Sequence, residues 1–256
     1  VEGAAGLPPD ARWRVVGRLL ADPTRVVRID VARQLAGTPP PTPEDATRLA
    51  AALHEARGAA AYGADTPEGG MSVGNLALAE GDLAAAERAF LAVLRPAPGF
   101  VPAYVNLADV QRRQGREAEA LRTLEAGLAA VTPTVSASAP LHYARALGLV
   151  RAKRHAEAAP HFERAATLAP DDATFAVGWA TWLDDTREVA RAVAVLEAVL
   201  VRRPFALEPL LTLAWIRARL GDTEGTLALL RRMEALRPWD PTLRAEREGL
   251  ERRLPR

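Results

Sequence analysis

Small residues recur at Gly74, Ala108, Ala146, Ala180 and Ala214, each seven residues ahead of a turn near positions 81, 115, 153, 187 and 221. The turns are spaced by 34, 38, 34 and 34 residues, the length of one helix-turn-helix repeat. This period constrains the fold more than any other feature, because a lone helical hairpin cannot bury its apolar face and must stack on its neighbours. Five residues past each turn stand Ala86, Ala120, Ala158, Ala192 and Thr226, small enough for the second helix to approach the first. Nine past the turn stand Phe90, Leu124, Phe162, Leu196 and Leu230, and three further on Val93, Gly127, Ala165, Val199 and Met233 continue the stripe, with Gly127 its weak member. Offsets of three and four place these residues on one helix face. The units stop at Pro98, Thr132-Pro133, Pro170, Pro204 and Pro238, where proline cannot continue a helix. The expected fold class is all-α, an α-solenoid of five hairpins.

With Gly81-Asp82, Gly115-Arg116 and Gly221-Asp222 at the turns, the aligned columns resemble tetratricopeptide (TPR) repeats over about residues 67–254. Lys153 and Arg187 replace glycine at the third and fourth turns, which are therefore expected to be less tight. The resemblance implies five TPR units over residues 67–238 and a concave groove, lined by the first helix of each unit, that binds a protein or peptide partner. Positions ten, six, three and two before each turn would face that groove. They supply Met71, Asn75, Asp109, Arg113, Tyr143, Leu147, Arg151, Leu211 and Trp215, among others, and Asn106 joins them by comparison with chaperone-binding relatives. The candidate groove residues are Asn75, Asn106, Asp109, Arg113, Tyr143, Leu147, Arg151 and Trp215. Tyr143 and Trp215 have a competing structural role, packing between neighbouring hairpins.

Chaperone-binding repeats grip a terminal carboxylate with lysine, two asparagines and further cations. Asn75 and Asn106 occupy the asparagine places, but Met71, Pro140 and Ala144 stand where cations are required. Without those charge-assisted bonds, this mode of binding is disfavoured. Arg113, Arg151 and Arg219 recur at one column and would favour an acidic partner stretch, although Asp184 and Asp185 interrupt them.

Residues 1–37 differ from the repeats. Trp13, Val16, Leu19 and Leu20 form one stripe and Val27, Val31, Ala32 and Leu35 a second, and the run from Asp22-Pro23 to Leu35 resembles a single HEAT unit. A proline-rich connector occupies residues 38–43. Residues 44–66 contain a capping helix, over 44–62, with Ala46, Leu49, Ala50, Leu53 and Ala60 on its apolar side. Residues 239–256 are expected to form a polar-faced terminal cap carrying Leu243, Leu250 and Leu254, with Trp239 plugging the last hairpin.

Catalytic motifs are missing, so no catalytic residue, cofactor or enzyme activity is expected. Gly69-Gly70 reads as an isolated loop pair. His54, His142, His155 and His161 read as surface or packing residues rather than metal ligands, because His155 and His161 lack i, i+4 spacing. There are no cysteines, hence no disulfide, thiolate or thioether site. A formal charge of +1 provides no general attraction for nucleic acid, and no apolar run is long enough for membrane insertion. Val1 in place of methionine suggests a piece of a longer chain.

The runs over residues 100–109, 141–148 and 165–170 also resemble the repeat tail of bacterial multihaem c-type cytochromes. Two readings of function follow: a non-catalytic interaction scaffold, open to homo-oligomer formation, or an assembly tail of an upstream redox enzyme. The second would make the chain periplasmic; otherwise it would be cytoplasmic.

Overall fold

The computed structural model describes residues 6–131 and 136–252. Among these the chain is built from α-helices without a strand. It separates into two compact units, Val1–Val131 and Thr132–Arg256. Val1, the Thr132-Pro133 stop and Leu254 lie outside the described residues.

The first unit contains α1 (Pro9–Val16), α2 (Arg25–Leu35), α3 (Pro43–Tyr62) and two hairpins, α4 (Pro67–Glu80) with α5 (Leu83–Leu94) and α6 (Val101–Arg113) with α7 (Glu117–Ala130). Its entry core joins Trp13, Val16 and Leu20 to Val31, Ala32 and Leu35 of α2 and Leu49 and Ala52 of α3. The Trp13 indole N–H donates to Thr38 Oγ1 at 3.0 Å, and that hydroxyl donates to the Leu35 carbonyl at 2.6 Å, closing the end of α2. Thr42 caps α3 by accepting from the Asp45 backbone N–H at 3.1 Å. The buried stripe of α3 is Leu49, Ala52, Ala56 and Ala60, so Ala50, expected inside, is exposed. The reason is angular: the stripe advances by three or four residues, and Ala50 directly follows Leu49 on the wet side.

The second unit contains three hairpins: α8 (Ala139–Arg151) with α9 (His155–Leu168), α10 (Ala173–Asp185) with α11 (Val189–Arg202), and α12 (Leu207–Arg219) with α13 (Thr223–Leu236). It closes with α14 (Pro241–Glu251). In both units the small residues of the repeat are buried where the paired helices meet, as are Phe90, Leu124, Phe162, Leu196 and Leu230. Burying large apolar groups in every hairpin supplies the main driving force, about 1.5–3 kcal/mol per side chain.

Gly74 shows how tight this packing is: a methyl group there would lie 2.3 Å from the ring of the fully buried Phe90. Gly69 and Gly70 are not a loop pair but part of the first turn of α4. A methyl on Gly69 would meet the Gly63 carbonyl oxygen at 1.6 Å, and one on Gly70 would meet Val93 at 2.5 Å.

The five turns are equally tight, against the expectation for the third and fourth. Gly81, Gly115 and Gly221 take φ of +85°, +78° and +77°, and Lys153 and Arg187 adopt the same left-handed region at 60° and 70°. All five close with the same bond reaching back five residues: Asp82 to Ala77 (2.9 Å), Arg116 to Gln111 (2.8 Å), Arg154 to Leu149 (2.8 Å), Glu188 to Leu183 (2.8 Å) and Asp222 to Arg217 (3.0 Å). Helix packing imposes this geometry whether or not the residue suits it. A side chain in the left-handed region costs about 1–2 kcal/mol, partly offset by the smaller entropy that a non-glycine residue loses. Both side chains are exposed, so Lys153→Gly and Arg187→Gly should each stabilise the second unit by about 0.5–1 kcal/mol, read as a raised thermal midpoint. An unchanged or lowered midpoint would show that the turn strain is negligible.

At the far end, α14 docks through buried Leu243 and an ion network in which Arg247 meets Glu234 at 2.7 Å and Glu251 at 2.6 Å, while Arg231 meets Glu251 at 2.8 Å. Trp239 does not plug the last hairpin. It sits in the α13–α14 connection, 76% exposed, and the buried apolar contact of this cap is made by Leu243 instead.

Candidate functional site

The predicted groove residues fall in both units. In the first, Asn75 of α4 and Asn106 of α6 satisfy each other, with Asn106 Nδ2 donating to Asn75 Oδ1 at 2.7 Å. Asp109 accepts from Arg112 at 2.5 Å through one oxygen and from Arg113 at 2.7 Å through the other. These are closed local pairs of the kind that link neighbouring helices or successive turns. Met71 is buried in the α4–α5–α6 core and does not face outward.

In the second unit the first helices of the three hairpins, α8, α10 and α12, line a cleft of about 560 Å³. Its wall includes Tyr143, Leu147 and Val150 from α8, Val177, Thr181 and Trp182 from α10, and Glu208, Leu211 and Thr212 from α12. A second cavity of about 340 Å³ shares Thr181, Asp185, Leu211 and Thr212 with it and extends to Trp215. Apolar side chains dominate, and Leu211 and Trp215 are 47% and 61% exposed. Arg151 ends α8 and is not among the side chains that line the cleft.

Tyr143 and Trp215 take opposite roles. Tyr143 is half-buried and seated on α10: its ring centroid is 5.1 Å from Phe175 and 5.9 Å from Phe162 in an edge-on contact. A methyl at Gly178 would come within 2.3 Å of the Tyr143 ring, so this close approach requires glycine. Burial pushes the phenol above its ordinary pKa, and the nearby Asp172 and Glu208 carboxylates push it further in the same direction. Trp215 instead projects outward, with the Arg219 guanidinium 5.1 Å from its ring centre.

The recurring arginines do not form the cationic strip that their spacing suggests. Arg113 is paired with Asp109, and Arg219 with the buried Asp184. Among the described residues, the charged side chains lining the cleft are Asp185 and Glu208, and no lysine or arginine lines it. Glu208 was missed at the level of sequence because it falls outside the four groove columns, although it shares the face of Leu211 through i, i+3 spacing. Trp182 was also missed. Its indole nitrogen is enclosed without a hydrogen-bond partner, while its ring stacks on Trp179 at 5.2 Å.

His142 of α8 and His161 of α9 come together across their hairpin, with the two Nδ1 atoms 2.9 Å apart. One imidazole must donate and the other accept, which excludes two doubly protonated rings. Burial first, then the charges of His161, Arg164 and Arg145, push the His142 pKa down to about 4. The unfolded chain therefore takes up this proton near pH 6.5 while the folded chain resists it until about pH 4. The associated stability is complete above about pH 6.5 and is lost as pH falls through that window. With the ring partly open to solvent, the loss should be about 1 kcal/mol. Thermal melts from pH 7 to pH 4 should show this slope, and His142→Gln should flatten it; an equal slope in the variant would remove the histidine pair as its cause. Among the described residues, no group of three or more potential ligands is arranged to hold a metal ion. Nor is any described helix long and apolar enough to cross a membrane.

A tetratricopeptide repeat family model matches residues 77–146. Among solved structures, a thermophilic TPR protein of Thermus thermophilus is similar with a TM-score of 0.52 and 21% identity over 72% of this chain and 98% of its own. Pseudomonas aeruginosa pilF is similar at 0.54 and 15% identity, over 88% of this chain and 99% of its own. YrrB, described as a TPR protein with an unusual peptide-binding site, is similar at 0.50 and 18% identity, over 70% of this chain and 91% of its own. At these identities the likeness is one of fold. No curated protein matches the chain.

Proposed function

We propose that this chain is a protein-interaction scaffold, and that the cleft formed by α8, α10 and α12 docks a segment of a partner protein. The observation that carries this reading is the placement of exposed Leu211 and Trp215 on the walls of the two adjoining cavities, which the other strongly exposed apolar side chains of this unit, Val201, Phe205, Leu220 and Trp239, do not line. Exposed aromatic and aliphatic side chains flanking a preformed apolar depression are the usual energetic centre of a protein interface. The match to tetratricopeptide repeats over residues 77–146 supports the same class of function. In the first unit, Asn75, Asn106, Asp109 and Arg113 would contribute polar contacts to a partner only by exchanging their present internal bonds. The resemblance to multihaem cytochrome tails gains no support from the comparisons and carries no part of this proposal.

Because Tyr143 is packed on Gly178, replacing it would disturb the fold as well as the surface. The cleaner test is Leu147→Ala with Leu211→Ala and Trp215→Ala. The variant should keep its helicity and thermal midpoint, while retention of a bound partner in side-by-side capture should fall by about tenfold or more. Equal retention by variant and wild type would refute the assignment.

A further inference from the structure

We infer that the cleft of the second unit receives a cationic amphipathic segment of its partner, with apolar side chains on Leu147, Leu211 and Trp215 and arginine or lysine head groups on Asp185 and Glu208. This rests on the reading of the cleft as a docking surface and adds the chemistry of the occupant. Asp185 and Glu208 line the cleft, no cationic side chain lines it, and neither carboxylate has an ion-pair partner among the described residues. Asp184 behaves differently: it is buried, and Arg219 neutralises it. Asp185 and Glu208 are instead exposed, their charges carried by water beside the apolar wall.

A neutral or acidic segment laid over Leu211 and Thr212 would strip water from Glu208 and Asp185 without replacing it, which is costly for an ionised carboxylate. A guanidinium or ammonium restores the lost interactions through charge-assisted bonds. The Tyr143 phenol beside the cleft is held above its ordinary pKa chiefly by burial, and the Asp172 and Glu208 carboxylates add to that rise. Arg219 does not cancel this charge at the far end, because it is engaged by Asp184 and the face of Trp215.

The test is a selection of randomised short peptides displayed against the full chain, followed by affinity measurement on synthetic versions of those recovered. Recovered peptides should combine apolar residues with arginine or lysine, and their binding should weaken as salt rises. Asp185→Asn with Glu208→Gln, which preserves shape and removes charge, should weaken them by about tenfold. Enrichment of acidic or uncharged peptides, or equal binding by the amide variant, overturns the inference while leaving the docking surface intact. If no peptide is recovered, or if recovered peptides bind the Leu147→Ala, Leu211→Ala, Trp215→Ala variant as well as wild type, the docking surface itself is wrong.

Discussion

Phe90→Ala should lower the unfolding free energy of the first unit by about 3–5 kcal/mol, the cost of deleting a fully enclosed aromatic ring and leaving a cavity. The ring lies between α4, α5 and α6, in the cluster with Met71, Val93, Ala103 and Leu107, so no single helix can collapse into the space. Gly74 is the residue packed directly against the ring. Gly74→Ala alone should gain up to about 1 kcal/mol of helix propensity but lose about 1–3 kcal/mol by forcing a methyl against the Phe90 ring. In the double variant that clash disappears and the new methyl occupies part of the vacated volume. The two changes should therefore be strongly non-additive in a denaturant-unfolding cycle, with the double variant more stable than Phe90→Ala. Additive costs would mean that the glycine is there for some reason other than the ring.

Ala146→Leu should destabilise the second unit by about 1–3 kcal/mol. Ala146 is fully buried on α8, and its hairpin is closed by Ala158 and Phe162 of α9, both essentially without solvent access. Three additional carbons at a position with no solvent access overpack the interior and must push its neighbours aside. A thermal melt should show the loss, and a neutral result would mean that Ala146 does not stand at the contact of the pair. Exposed Leu147, the next residue along, offers the control: Leu147→Ala should change the midpoint little.

Much of the fold was legible because its determinants are local and repeated. The alternation of small and large residues every three or four positions specifies which helix face is buried, and five copies confirm the register. The turns were located at the correct residues, yet their geometry at Lys153 and Arg187 was misjudged. Residue preference predicts a relaxed turn there, whereas packing on both sides of the hairpin drives the backbone to φ of 60° and 70°. Trp239 and Ala50 were misplaced for a related reason: being apolar says that a residue can be buried, not that the interior has room or lies on its side.

The candidate site was legible only in outline. Columns counted from the turns select which helix face the first helices present, and they included Leu147, Leu211 and Trp215. They did not reveal that Tyr143 leans onto Gly178, or that Glu208 joins the wall of the cleft. The arginine column illustrates the limit. Arg113 is neutralised by an aspartate four residues away and Arg219 by one thirty-five residues away.

By itself the sequence determined an all-helical chain, the period and number of its hairpins, and the residues at which each hairpin turns and packs. These depend on backbone preferences and side-chain volume over a few turns of helix. The tertiary structure decided which charges are cancelled, which aromatic side chains remain exposed, and that His142 meets His161 across a hairpin. Those outcomes depend on distances between side chains a whole helix or repeat apart, which become defined only when the helices stack.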